Sequence, residues 1–321
     1  MDLAVKRREF VLGTAALAFA PRAFALSFSR TPTALVTADL ESHVVAVDLN
    51  TGKVLRRIAT APGPRSIETV GNLAVVGHTE RGLLTVIDGA TLRVRDTVGG
   101  FSEPRYTIAA RDGEHAFVTD SKTGELAVIA ARRGRVVGRV VLGGAPRHLS
   151  YEPSAEVVWV VLGNSADRIA VVDVSSPTRP RLVRRFSPPL LAHDVGFGPG
   201  RVWVTGGASR ELVVYDPRGR PVRLQADAPP QHVTFVGNRA YVASGEDGTL
   251  RVHDARTGRL LRTSRLPGGS FNVQREARAG GLVVTPSLSR GTLCVVDQSG
   301  RVLRQPRIAR SSHDACFVVR A

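Results

Sequence analysis

The chain has 321 residues, 43% of them apolar, which excludes intrinsic disorder and suits one large β domain or two ordinary ones. Its formal charge is +16, nearly all of it from arginine, since Lys6, Lys53 and Lys122 are the only lysines. A basic surface can attract nucleic acid, anionic lipid or acidic polymers, but these arginines are scattered rather than run together, which fits an arginine-rich coding bias and makes nucleic acid an unfavoured partner.

Residues 1–25 read as an address. Lys6-Arg7-Arg8-Glu9-Phe10-Val11-Leu12 precedes a mildly apolar stretch over 13–20, then Pro21, then the small residues of an A-x-A site at Ala23-Phe24-Ala25. Paired arginines followed by Phe resemble a twin-arginine export signal. The apolar run is too short to span a bilayer, and no later segment reaches 18 apolar residues. The expectation is a chain cleaved near Ala25 and exported to the periplasm or beyond, with residues 26–321 forming one monomeric domain. The twin-arginine route carries folded proteins, so it admits a bound cofactor without requiring one.

From Thr31 onward one unit repeats. Strands ending VVAVD, LLTVID, ELAVIA, RIAVVD, ELVVYD, TLRVHD and TLCVVD close at Asp48, Asp88, Ala130, Asp173, Asp216, Asp254 and Asp297. The intervals are 40, 42, 43, 43, 38 and 43 residues. Four short apolar runs separated by turn residues fill each interval, which is the signature of propeller blades. The closing aspartate is placed to cap the next turn, and Ala130, followed by Arg132-Arg133-Gly134, calls for a different turn. The strand before each of these reads LVTA, VVGH, FVTD, VVLG, WVTG, YVAS and VVTP. These units resemble the YVTN-type β-propeller repeat over essentially all of the mature chain. The resemblance implies an exported seven-bladed propeller, and some related propellers are lactonases. The predicted fold is therefore all-β, seven blades of four antiparallel strands. The chain opens on a second strand and ends on an orphan first strand, Ala315–Val319, so the C-terminal strand should close the first blade.

Propellers bind ligands where the innermost strands begin. Aligning those starts gives one column of Ser66, Tyr106, His148, His193, His232, Asn272 and His313, half of the protein's eight histidines. Converging imidazoles suit Zn, Cu or Fe, so His148, His193, His232 and His313 are the candidate metal ligands, with Asp194 and Asp314 as carboxylate partners. The opposing view is that each histidine bonds to a neighbouring blade's backbone without an ion. The adjacent column holds Arg65, Arg105 and Arg147, with Gln231 in the sixth unit. It makes the mouth positive and suited to a carboxylate, phosphate or anionic glycan, unless each arginine merely braces its loop. Glu68 is the one acid near this column in the early units, too little for lactonase chemistry.

Gly196-Phe197-Gly198-Pro199-Gly200 joins two strands and opens no helix, so it reads as a turn and not a phosphate cradle. Trp159 and Trp203 read as core. Cys294 and Cys316 fall on different strand positions and are expected to remain thiols. No nucleophile elbow, P-loop or zinc-protease motif occurs. The leading expectation is a non-enzymatic binding scaffold that uses its channel mouth and loops on an extracytoplasmic ligand or partner. The alternatives are a metal-dependent hydrolase or lyase at the histidines, or a metal-free lactonase.

Overall fold

In a computed structural model of the chain, residues 32–276 and 281–320 are described; the signal segment expected over 1–25 lies outside them. The apolar runs become strands and the Gly- and Asp-containing links become turns, giving seven four-stranded antiparallel sheets. Blades two to seven take residues 64–98, 104–141, 149–186, 192–225, 230–265 and 274–304. Blade one joins Ala315–Val319, as its innermost strand, to Pro32–Ala38, His43–Asp48 and Val54–Ala59. The register runs from Pro32 opposite Val319 to Val36 opposite Ala315. The two ends of the chain thus close the ring, as the sequence predicted.

The burial pattern follows from this stacking. Middle strands such as Leu73–His78 are buried at every position, because both of their faces meet a neighbouring blade. Seven apolar clusters fill the seven blade–blade interfaces. Trp203, fully buried, stands between blades five and six with Phe235 6.0 Å and His253 5.7 Å away, ring centre to ring centre. Trp203→Ala should lower stability by about 3–5 kcal/mol, read as a urea midpoint, the cost of a large ring removed from a close-packed interface. Trp159 packs against the apolar cluster between blades four and five, with Phe186 5.1 Å and Phe197 5.5 Å away, but is only partly buried because its outer side borders a cleft of about 850 Å³.

Outer strands are exposed, and each carries at least one arginine, as in Val54–Ala59 (VLRRIA) and Arg181–Phe186 (RLVRRF). In six blades the outer strand also meets its neighbour through a register shift. Charges and bulges both hinder edge-to-edge pairing. The basic excess is therefore spread around the perimeter and serves the fold.

Turn chemistry matches the sequence. Asp48, Asp88, Asp173, Asp216, Asp254 and Asp297 each accept a backbone N–H from the following turn. After Ala130 the chain instead makes a 3-10 turn, Ala131–Arg133, that ends on Gly134 at φ 57°. The left-handed backbone there favours glycine, and the Asp96 carboxylate would have to move aside for any Cβ.

Cys294 and Cys316 are buried and form no disulfide. They belong to different interfaces, Cys294 between blades six and seven and Cys316 between one and two. Burial pushes the Cys294 thiol up to about 12. Neither sulfur should react with a thiol reagent in the native protein, and two should react after urea unfolding. Fast labelling of the native protein would contradict this placement.

Candidate metal centre in the axial channel

Local irregularity aims the site residues. In four inner strands the antiparallel register breaks at the channel mouth: between Pro64 and Ser66, Pro104 and Thr107, Ala192 and Val195, and Pro230 and His232. The residues carried in these breaks are Arg65, Arg105 with Tyr106, His193 with Asp194, and Gln231. A bulge turns consecutive side chains away from strict alternation, so both predicted columns can face the same opening. His148 sits one residue before its inner strand, Leu149–Glu152.

The loops carrying these residues are braced through their main chain. The Thr37 hydroxyl donates to the Arg65 carbonyl at 3.1 Å, Thr119 to that of Arg147 at 2.7 Å and Thr205 to that of Gln231 at 2.8 Å. These threonines share one place in the LVTA, FVTD and WVTG strands, a repeated signal in the sequence that was open to reading and was missed. The bracing uses the main chain of Arg65 and Arg147 and not their guanidinium groups.

The structure gathers His148, His193 and His232. Their candidate ligand atoms all lie within 4.8 Å of one another. The His148 ring centre is 4.3 Å from that of His193 and 4.5 Å from that of His232, with the Tyr106 ring packed at 3.9 Å. His193 Nδ1 lies 2.8 Å from the Asn164 carbonyl of the preceding blade, which can only accept, so Nδ1 carries the proton and Nε2 keeps its lone pair. His232 Nδ1 lies 3.3 Å from Asp194 Oδ2, a carboxylate that also accepts the Val195 and Val233 backbone N–H groups. Carbonyl or carboxylate on one ring nitrogen is the arrangement that orients a metal-binding imidazole.

His148 differs from both. It is 1% exposed, and its one protein partner is the His193 backbone, a contact looser than those of His193 and His232. The view that each histidine braces to a neighbouring blade's backbone holds for His193 on Asn164, and also describes His148 on His193 and His313 on Arg65.

His313 is not part of this group. It pairs instead with Asn272, whose amide donates to the His313 carbonyl at 2.6 Å and stands 3.4 Å from Nδ1. Asp314 repeats the role of Asp194 between blades one and two, accepting from Ile67 N, Ala315 N and Gln274 Nε2. Below the histidines the channel continues as a small polar cavity of about 90 Å³ lined by Glu68, Asp194, Gln274 and Asp314 among others.

Burial keeps His148, His193 and His313 neutral. Desolvation first, then the neighbouring imidazoles, hold His148 well below the ordinary value of 6.5; burial and His232 bring His193 down to about 3. Burial and then Arg65 do the same to His313. A neutral imidazole is the form that binds metal. An unfolded histidine titrates near 6.5, so between the folded and unfolded values the unfolded chain binds more protons. Stability is therefore full above about pH 6.5 and falls as pH drops toward the folded value, by about 1.4 kcal/mol per pH unit for each such histidine. The metal-free protein should show urea midpoints that decline steeply from pH 7 to pH 5, and a flat profile would contradict the buried neutral ring.

Compared with solved structures, the chain is similar to Kuenenia stuttgartiensis hydrazine synthase, with a TM-score of 0.73 and 15% sequence identity over 84% of this chain and 93% of that one. At that identity the likeness speaks for the propeller fold alone. No family model and no curated protein matches the chain, so the YVTN-type relationship rests on the repeat itself. Among the described residues no helix is long and apolar enough to cross a membrane.

Proposed function

We propose that this chain is an exported, metal-binding propeller. His148, His193 and His232 hold one divalent transition-metal ion, and the bound ion captures a ligand at the channel mouth. The observation that carries this reading is the cluster itself: three imidazoles whose ligand atoms lie within 4.8 Å of one another, two of them already oriented by Asn164 and Asp194. A neutral imidazole has one donor and one acceptor, and the His148 ring can donate to the His193 backbone and keep its other nitrogen, buried and without a protein donor, for an ion. Three imidazoles suit Zn, Cu or Fe and leave a coordination position for a ligand. Binding rather than turnover is the role assigned, because the acids nearest the ring, Asp194 and Asp314, are committed to backbone hydrogen bonds.

The test is metal content of the exported, cleaved protein beside the His148→Ala/His193→Ala/His232→Ala variant, each dialysed against zinc and against copper. One ion per chain in the native protein and none in the variant is expected. Equal content in both, or none in either, would overturn the reading.

A further inference from the structure

The arginine column beside the histidines is only partly used by the fold: Arg105 pairs with Glu103 and Arg147 meets the Tyr106 hydroxyl. The main-chain carbonyls of Arg65 and Arg147 brace the blades, while the Nε atoms of Arg65, Arg105 and Arg147 are buried and make no hydrogen bond of normal geometry. The Ser66 hydroxyl and the Gln231 side-chain oxygen, in the same mouth, are likewise buried and unpartnered. Glu103 lies 3.0 Å from Arg105 Nε, and among the described residues no ion pair joins an acid to Arg65 or Arg147.

The guanidiniums feel one another and the ring below. Arg147 and Arg65 both act on Arg105, whose pKa lies below its ordinary value, first through burial and then through these two neighbours. Arg147 also acts on His148 and His193. A divalent ion on the three imidazoles would thus sit next to like charge, which disfavours it. One component reconciles the two layers: an anion between them, with one oxygen on the ion and the others on the arginine forks. Guanidinium groups match carboxylate and phosphate oxygens in this way.

We propose that Arg65, Arg105 and Arg147 seat a small dianionic oxyanion, a dicarboxylate or a phosphate, directly above the three-histidine ion, and that this is the class of ligand the channel takes. The proposal rests on the metal reading for the position of the ion, while the anion seat itself is built from arginines. Anion and metal then bind with positive coupling, each tightening the other by the same factor.

The experiment is calorimetric titration of inorganic phosphate, and separately of succinate, into zinc-loaded and metal-free protein, repeated on Arg65→Gln/Arg147→Gln. At least one anion should bind both forms and bind the zinc form about tenfold more tightly or better. The arginine variant should keep its zinc and its melting temperature and lose anion affinity by about tenfold or more. Whichever anion binds identifies the source. Zinc uptake with no affinity for either anion, or affinity that survives the arginine variant, would overturn the proposal. Anion binding by a protein that takes up no zinc would support the arginine seat and overturn the metal reading, so the two failures are distinguishable.

Discussion

Deleting residues 312–321 is expected to abolish the cooperative fold. That segment holds the innermost strand of blade one, and among the described residues no other strand takes that place. Its side chains serve two interfaces at once: Ala315 packs toward blade seven, Cys316 and Val318 toward blade two. Its backbone is also held by blade two, where Thr69 exchanges hydrogen bonds with Phe317 at 2.7 and 3.0 Å and Asn72 does the same with Val319 at 2.9 and 2.8 Å. Without the strand, the buried run Pro32–Ala38 becomes an open edge and the ring loses its closure. Near-ultraviolet circular dichroism and thermal melting should show loss of tertiary signal and of a sharp transition. A cooperative melt close to that of the full chain would show that closure contributes little.

Replacing His148 by Phe should separate function from stability in a way that a structural histidine would not allow. Phenylalanine keeps a planar ring of somewhat larger size and removes two buried nitrogens, so the metal-free protein should lose no more than the roughly 1–3 kcal/mol that overpacking costs. Metal binding should fall below detection in the same variant, because two imidazoles remain. Asp194→Asn keeps all three imidazoles and weakens the orientation of His232, and should cost about 10–100-fold in metal affinity. Urea unfolding and competitive metal titration measure the two effects separately. If His148→Phe destabilised the metal-free protein strongly, His148 would be a packing residue and the site would lose its main support.

The repeat was legible because it is written in local chemistry. A strand that closes on aspartate needs only the next few residues to make its turn, so Asp48 to Asp297 announced the blade period without tertiary information. The column containing His148, His193 and His232 followed from that period. What stayed hidden depends on contacts between blades. His313 stands in the same column, yet Asn272 on the neighbouring blade engages it, and a column of letters carries no azimuth around an axis. The register breaks that present Arg65, Arg105 and His193 together are properties of paired strands and not of either strand alone. Trp159 and Trp203 occupy matching positions and both pack between aromatic rings, but a cleft beside Trp159 leaves it partly exposed while Trp203 is fully buried. The charge was legible in amount and not in place: every outer strand carries arginine, while Arg65, Arg105 and Arg147 turn inward.

X-ray absorption at the metal edge of protein loaded with one equivalent of zinc or copper tests the central claim most directly. Scattering from three imidazole nitrogens at about 2.0–2.1 Å, lost in the triple histidine variant, is the predicted result. A shell of oxygen alone, or an imidazole signal that survives the variant, would place the ion elsewhere and contradict the assignment of the axial histidines.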